Sequence, residues 1–237
     1  MGIVLVHGGG FGASCWDLVL PRLEAPAIAI DLPGRGSRPG DLTTITLEDF
    51  AASAVVDIDA TGWKRVLLVG HSLAGLTLPR VAEQRPEVLS ALVFLSCTVP
   101  AHGQSCAEAL EAAVKSEVSE RLDPSDDDGA PDDFARRWFA NDLDEEQIVW
   151  MKARMGSDAH RVTAEPSDLT GLRHPIPRIW IRLLRDLIVT PARQDDYIAT
   201  IGGAEVIDLD AGHMAMISQP AALAGILDDL AVRYAAA

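Results

Sequence analysis

A chain of 237 residues with 48% apolar and 23% charged content is long enough for one α/β domain with a sizeable core and an insertion. Its net charge of −15 opposes phosphate-rich partners, so neither nucleic acid nor an anionic membrane surface is an expected ligand. Met1 runs straight into an apolar stretch rather than a basic-then-apolar leader, and no run is long enough to span a bilayer; a cytoplasmic location is the expectation. Residues 2–7 and 26–31 read as strands, and 46–60, "TLEDFAASAVVDIDA", as a helix whose Thr46 and Asp49 form a capping-box start. Residues 65–69 read as a strand, 73–85 as a helix stopped by Pro86, and 91–96 as another strand. Then the rhythm lapses. Residues 97–174 carry helical stretches near 104–121, 131–140 and 144–155 and an acidic, proline-bearing loop, "DPSDDDGAPDD". Strands return at 176–184 and 204–210, and a helix over 219–235 closes the chain. The pattern predicts a mostly parallel, doubly wound sheet of about six strands, with a core of residues 1–96 and 175–237. Residues 97–174 are then a mainly helical cap over the strand ends, where such sheets bind ligands.

The first strand breaks into "HGGGFGAS", which fits two chemistries. Gly8, Gly10 and Ala13 match G-x-G-x-x-G/A, and Asp31, after the second strand, stands about where a ribose-binding acid would. The same glycines could instead bring backbone N–H groups against a reacting oxygen, or simply make a tight turn.

"VLLVGHSLAG", residues 66–75, decides between them. A strand enters Gly70-His71-Ser72-Leu73-Ala74 and a helix leaves it, which is the context of a nucleophile elbow, G-x-S-x-G, with Ala74 in place of the last glycine. Small residues flank such a serine because the turn is strained and strand and helix pack closely around it. A serine needs a base, and the base an orienting acid. Asp186 follows one strand and His213 the next, in the chain order Ser, Asp, His that this elbow requires. The rival acids nearby are Asp195, Asp196, Asp208 and Asp210. The opening loop then supplies an oxyanion donor, the N–H of Gly9, to join the N–H of Leu73 after the nucleophile. A dinucleotide reading explains neither Ser72 nor His213. The three cysteines and six histidines show no metal spacing, so neither metal nor cofactor is expected.

The stretches "VLVHGGGFGASCW", "DLPGRG", "VGHSLAG", "IPRIWIRLLRD" and "AGHMAMISQP" resemble the α/β-hydrolase superfamily. They are most similar to its plant methyl esterase branch, of the methyl salicylate and polyneuridine-aldehyde esterase kind, and to the hydroxynitrile lyases related to it. The likeness spans residues 2–100 and 175–235 and is loose between them. It implies Ser72 as nucleophile, Asp186 as acid, His213 as base, and Gly9 and Leu73 as oxyanion donors. Met214 follows His213, where the lyases carry lysine, and this disfavours cyanohydrin chemistry; Ser72 in place of Asp disfavours epoxide hydrolysis. The implied activity is hydrolysis of a small-to-medium apolar ester, such as a methyl ester, through an acyl-enzyme. A biosynthetic lyase or cyclase using the same site, and a non-catalytic receptor, are the alternatives. Trp16, Trp138, Phe139, Trp150 and Met151 are candidates to line the acyl pocket, since such pockets are mostly apolar and aromatic.

Overall fold

The computed structural model describes residues 1–109 and 135–235. Its centre is a six-stranded sheet in the order β2-β1-β3-β4-β5-β6, with every neighbouring pair parallel. The strands are β1 (Gly2–Val6), β2 (Ala27–Ile30), β3 (Val66–His71), β4 (Leu89–Leu95), β5 (Arg178–Leu183) and β6 (Glu205–Leu209). β1, β3 and β4 are buried at every position, and accordingly read as unbroken apolar runs rather than alternating ones. The edge strand β6 is mostly exposed and carries Glu205 and Asp208. Such charges deter pairing with another chain.

Parallel neighbours need crossovers, and helices supply them. α1 (Leu47–Ala60) joins β2 to β3, α2 (Leu78–Gln84) joins β3 to β4, and α4 (Pro191–Ile201) joins β5 to β6; α5 (Pro220–Tyr234) follows β6. The remaining long helix, α3 (Glu145–Lys152), lies between β4 and β5. Successive strand residues point to opposite faces. Val4, Val6, Leu68, Phe94 and Trp180 therefore join one core with α1, α2 and α4. Ile3, Leu5, Leu67, Val69 and Ile181 join the other with α3 and α5. α5 buries Leu223, Leu227, Leu230 and Ala231, a single stripe at helical spacing.

Thr46 and Asp49 form the expected reciprocal capping box at the start of α1. The helix expected over 73–85 is two pieces, a tight turn Ser72–Leu76 and then α2. Pro79 is the reason: it has no N–H for the carbonyl four residues back, so it sits in the first turn of a fresh helix. α4 was not expected at all. Its buried face is Gln194, Tyr197 and Ile201, and a glutamine at a core position hides the apolar stripe.

Between β4 and β5 the described residues add helices but no strand to the sheet. The helices are Cys106–Ala109, Ala135–Phe139, α3, which Asp144 and Gln147 start with a capping box, His160–Ala164 and a short turn of helix Thr170–Arg173. The acidic loop and most of the 104–121 stretch lie outside the described residues. Among the described residues no helix is long and apolar enough to cross a membrane. The strand order reverses between β1 and β3, so the loops leaving their carboxyl ends diverge and open a crevice. The glycine-rich loop follows β1 and the serine elbow follows β3.

Candidate active site

Ser72 holds a left-handed backbone, φ 52°, which a non-glycine residue adopts only under constraint. The constraint is local. Ser72 O accepts the Thr98 N–H at 2.9 Å. Gly70 packs so closely on the turn after Ser72 that a Cβ there would stand 3.0 Å from the Ala74 methyl and 2.4 Å from Leu78 Cδ1. The alanine in place of the elbow's second glycine therefore fits because Gly70 has no side chain. Gly8 makes the matching approach from the other loop, where a Cβ would lie 2.9 Å from Ser72 Cβ.

The two other candidates converge on the serine. His213 Nε2 is 3.0 Å from Ser72 Oγ, and His213 Nδ1 is 2.6 Å from Asp186 Oδ2. Asp186 and His213 are both buried. Asp186 Oδ1 also accepts the N–H groups of Ile188 (2.8 Å) and Val189 (2.9 Å), and Oδ2 accepts the Ser96 hydroxyl at 2.6 Å. Donors thus surround an acid whose ionised form can only accept. They leave His213 Nδ1 as a donor to it and Nε2 as the acceptor for the Ser72 proton.

Sequence reasoning missed Ser96. It directly follows β4, is buried, and at φ 40° is the second non-glycine residue with a left-handed backbone among the described residues. β4 lies between the strands that carry Ser72 and Asp186, so its end falls between theirs. A polar residue closing the apolar run "ALVFLS" was the available signal, but strand order was needed to use it. Gln194 was missed for the same reason. Its amide accepts from Trp180 Nε1 (3.1 Å) and Leu183 N (3.0 Å) and donates to Leu183 O and Val189 O (both 2.8 Å). All its hydrogen-bonding groups are used, and they tie the loop carrying Asp186 to β5 and α4. From the insertion, Asn141 Nδ2 donates to Arg185 O at 2.8 Å, and Asp142 Oδ2 accepts the Gly212 N–H at 2.7 Å. These bonds hold the residues just before Asp186 and His213.

Two histidines serve as neutral struts. His7 Nε2 accepts the Leu32 N–H at 3.1 Å, so its proton sits on Nδ1, which meets Gly8 O at 2.8 Å. Burial lowers the His7 pKa from 6.5 to about 4. His71 Nε2 meets His213 O at 2.9 Å, and burial, reinforced by repulsion from His213, also holds its pKa well below 6.5. A histidine whose pKa falls on folding binds fewer protons in the native state than in the unfolded one. Its contribution to stability is therefore complete above pH 6.5 and is lost as pH falls toward the folded value. For His7 the loss by about pH 4 is on the order of 3 kcal/mol. Urea unfolding of His7→Gln, which stays neutral throughout, should show a flatter pH dependence than wild type in this range; parallel curves would contradict the assignment.

Of the candidate pocket residues, Phe139 makes ring contact with the Ser–His–Asp set. Its ring meets His213 edge-on at 5.5 Å and Phe11 at 6.1 Å. Trp16 and Met151 are fully buried in the core, with Trp16 edge-on to His71 at 6.5 Å. Trp150 is half-buried under the Arg154 guanidinium at 3.6 Å, and Trp138 carries that of Arg137 at 4.8 Å. Leu73 and Gly9 face each other across the crevice: a Cβ on Gly9 would stand 3.3 Å from Leu73 Cδ2. The N–H of Leu73, at the start of a helical turn, has no partner within that turn. Asp31, the candidate ribose acid, spends its carboxylate on Ala13 N (2.7 Å), Ser37 N (2.8 Å) and Ser37 Oγ (2.9 Å). Among the described residues no cluster of three or more His, Cys, Asp or Glu could hold a metal ion.

Known proteins are similar to this chain over nearly its whole length. A pyrethroid hydrolase of Sphingobium wenxiniae is 28% identical over 244 residues, 97% of this chain and 87% of its own. Methylesterase 7 of Arabidopsis thaliana is 28% identical over 252 residues, 98% of this chain and 96% of its own. Among solved structures, an extracellular alpha/beta-hydrolase from a Paenibacillus species superposes with a TM-score of 0.86 at 22% identity, covering 97% of this chain and 98% of the other. The model of the alpha/beta hydrolase family matches residues 3–226, and the chain belongs to that family.

Proposed function

We propose that this enzyme, a carboxylic ester hydrolase, works through an acyl-enzyme on Ser72 and takes a methyl ester or a similar small-to-medium apolar ester. The observation that carries the reading is the continuous relay from Ser72 through His213 to Asp186, with steps of 3.0 and 2.6 Å, at the carboxyl ends of the strands. His213 Nε2 takes the Ser72 proton as Oγ attacks the ester carbonyl. Asp186 keeps the proton of Nδ1 in place and stabilises the imidazolium that forms. The N–H groups of Gly9 and Leu73 receive the developing oxyanion, each worth about 3 to 4 kcal/mol in the transition state. His213 then returns its proton to the departing alcohol. Water, deprotonated by the same nitrogen, releases the acid.

In this reading residues 97–174 act as a cap. Its support is that Asn141, Asp142 and Phe139 all meet the loops or the ring of the relay. Phe139, edge-on to His213, offers an apolar wall beside the relay and favours an apolar substrate. Relatives named as a pyrethroid hydrolase and a methylesterase support a hydrolase reading.

A panel of methyl and p-nitrophenyl esters tests the proposal. Alcohol and acid should appear in equal amounts. With a substrate whose deacylation is slow, a burst of alcohol equal to the enzyme present should come first. Turnover of a substrate into products without an acid, or no ester cleavage across the panel, would contradict it.

A further inference from the structure

Gly10, in the loop after β1, is gripped from the insertion at both of its backbone polar groups. Its N–H donates to Asp158 Oδ2 at 2.8 Å, and its carbonyl accepts the Gly156 N–H at 2.9 Å. The same carboxylate oxygen presses on the preceding residue: a Cβ on Gly9 would stand 2.6 Å from it. The other oxygen, Oδ1, accepts the Ala159 N–H at 2.9 Å and forms an ion pair with Arg35, which comes from the loop after β2. The pair is largely shut away from water, with side chains 4% (Arg35) and 13% (Asp158) exposed. Burial lowers the Arg35 pKa to about 10, which leaves it charged at neutral pH. Arg35 and Asp158 line one small cavity together with His7, Gly8, Gly9 and Leu73.

Such a pair is hard to explain as a source of stability. Desolvating two charges costs about what their attraction returns, and apolar replacements are often as stable. Its position offers another explanation. A loop rich in glycine has many conformations, and an oxyanion donor is useful only when aimed within a fraction of an ångström. A carboxylate is a strong acceptor for fixing the Gly10 amide, but alone it would repel the negative oxygen forming a residue away. Arg35 removes that objection by neutralising it.

We propose that Asp158, neutralised by Arg35, is a positioning residue for the oxyanion loop, holding Gly10 so that the Gly9 N–H faces the oxygen that forms over Ser72. The inference rests on the esterase reading, so its test separates the two. Wild type, D158A, D158N, R35M and the double variant R35M/D158N are compared in turnover of p-nitrophenyl acetate, in melting temperature, and in amide exchange of residues 8–11. D158A should lose about 100-fold in kcat, the cost of an ångström's misplacement, with KM little changed. D158N, whose Oδ1 can still accept the Gly10 N–H but whose NH₂ then faces the Ala159 N–H and Arg35, should recover only part of the loss. R35M should lower kcat by leaving a bare carboxylate beside the oxyanion, and R35M/D158N should exceed R35M. D158A and R35M with wild-type kcat, or losses confined to KM, would overturn the proposal. If D158A fails to fold, the order of R35M and R35M/D158N decides. If wild type neither hydrolyses esters nor reacts with a fluorophosphonate, the esterase reading has failed. The positioning of the loop is then judged by exchange alone: faster exchange at residues 8–11 in D158A supports it, and unchanged exchange overturns it.

Discussion

Ser72→Ala should lower ester turnover by on the order of 10⁶, the loss that removal of a triad serine causes where the residues act as a unit. The variant has no nucleophile, and His213 is left with no hydroxyl to deprotonate. What survives comes from the oxyanion donors and from substrate binding alone. The fold should stay intact. The strained φ of 52° is imposed by the packing of Gly70, Ala74 and Thr98 around the elbow, and alanine meets it at much the same cost as serine. The check is kcat beside a melting curve: turnover near wild type in a folded Ser72→Ala would rule out covalent catalysis at this residue.

The second large effect belongs to the acid. Asp186→Asn should cost up to about 10⁴ in turnover, as the same change does in a serine protease triad. The geometry gives the reason. Both oxygens of Asp186 face donors, Oδ1 the N–H groups of Ile188 and Val189, and Oδ2 the Ser96 hydroxyl and His213 Nδ1. An asparagine must turn its NH₂ toward one of these sets. Turned toward His213, it draws the ring into the tautomer with its proton on Nε2, where the Ser72 proton should go. Turned away, it opposes two backbone donors. Asp208→Asn and Asp210→Asn should change kcat little, because those carboxylates pair with Arg182 and Arg185 at the surface. Turnover of the three variants side by side decides it. Collapse of activity in a folded Asp208 or Asp210 variant, with Asp186→Asn near wild type, would name a different acid.

Much of this was legible in the sequence because it depends on order along the chain. The buried strands announced themselves as apolar runs, and the elbow as a serine between small residues at a strand-to-helix change. Chain order singles out Asp186 and His213, each after a strand, and the structure brings both to Ser72. What was not legible depends on neighbours distant in sequence. Ser96 joins Asp186 only because β4 lies between β3 and β5. α4 was hidden by Gln194, a polar residue whose hydrogen bonds are all met inside the core. Asp158 is one aspartate in an acidic insertion until its contact with Gly10, 148 positions earlier, sets it apart. Trp16 and Met151 show the converse limit. Large apolar side chains signal burial, and whether they face a pocket or the core is a matter of packing that periodicity does not carry.

The central claim, that Ser72 is an activated nucleophile, is tested most directly by covalent labelling. The protein is treated with a fluorophosphonate probe, digested, and the modified peptide located by mass spectrometry. One label per chain on Ser72, absent from Ser72→Ala, is the expected result. A probe carried on another residue, equal labelling of Ser72→Ala, or an ester-cleaving enzyme that takes no label would contradict the account.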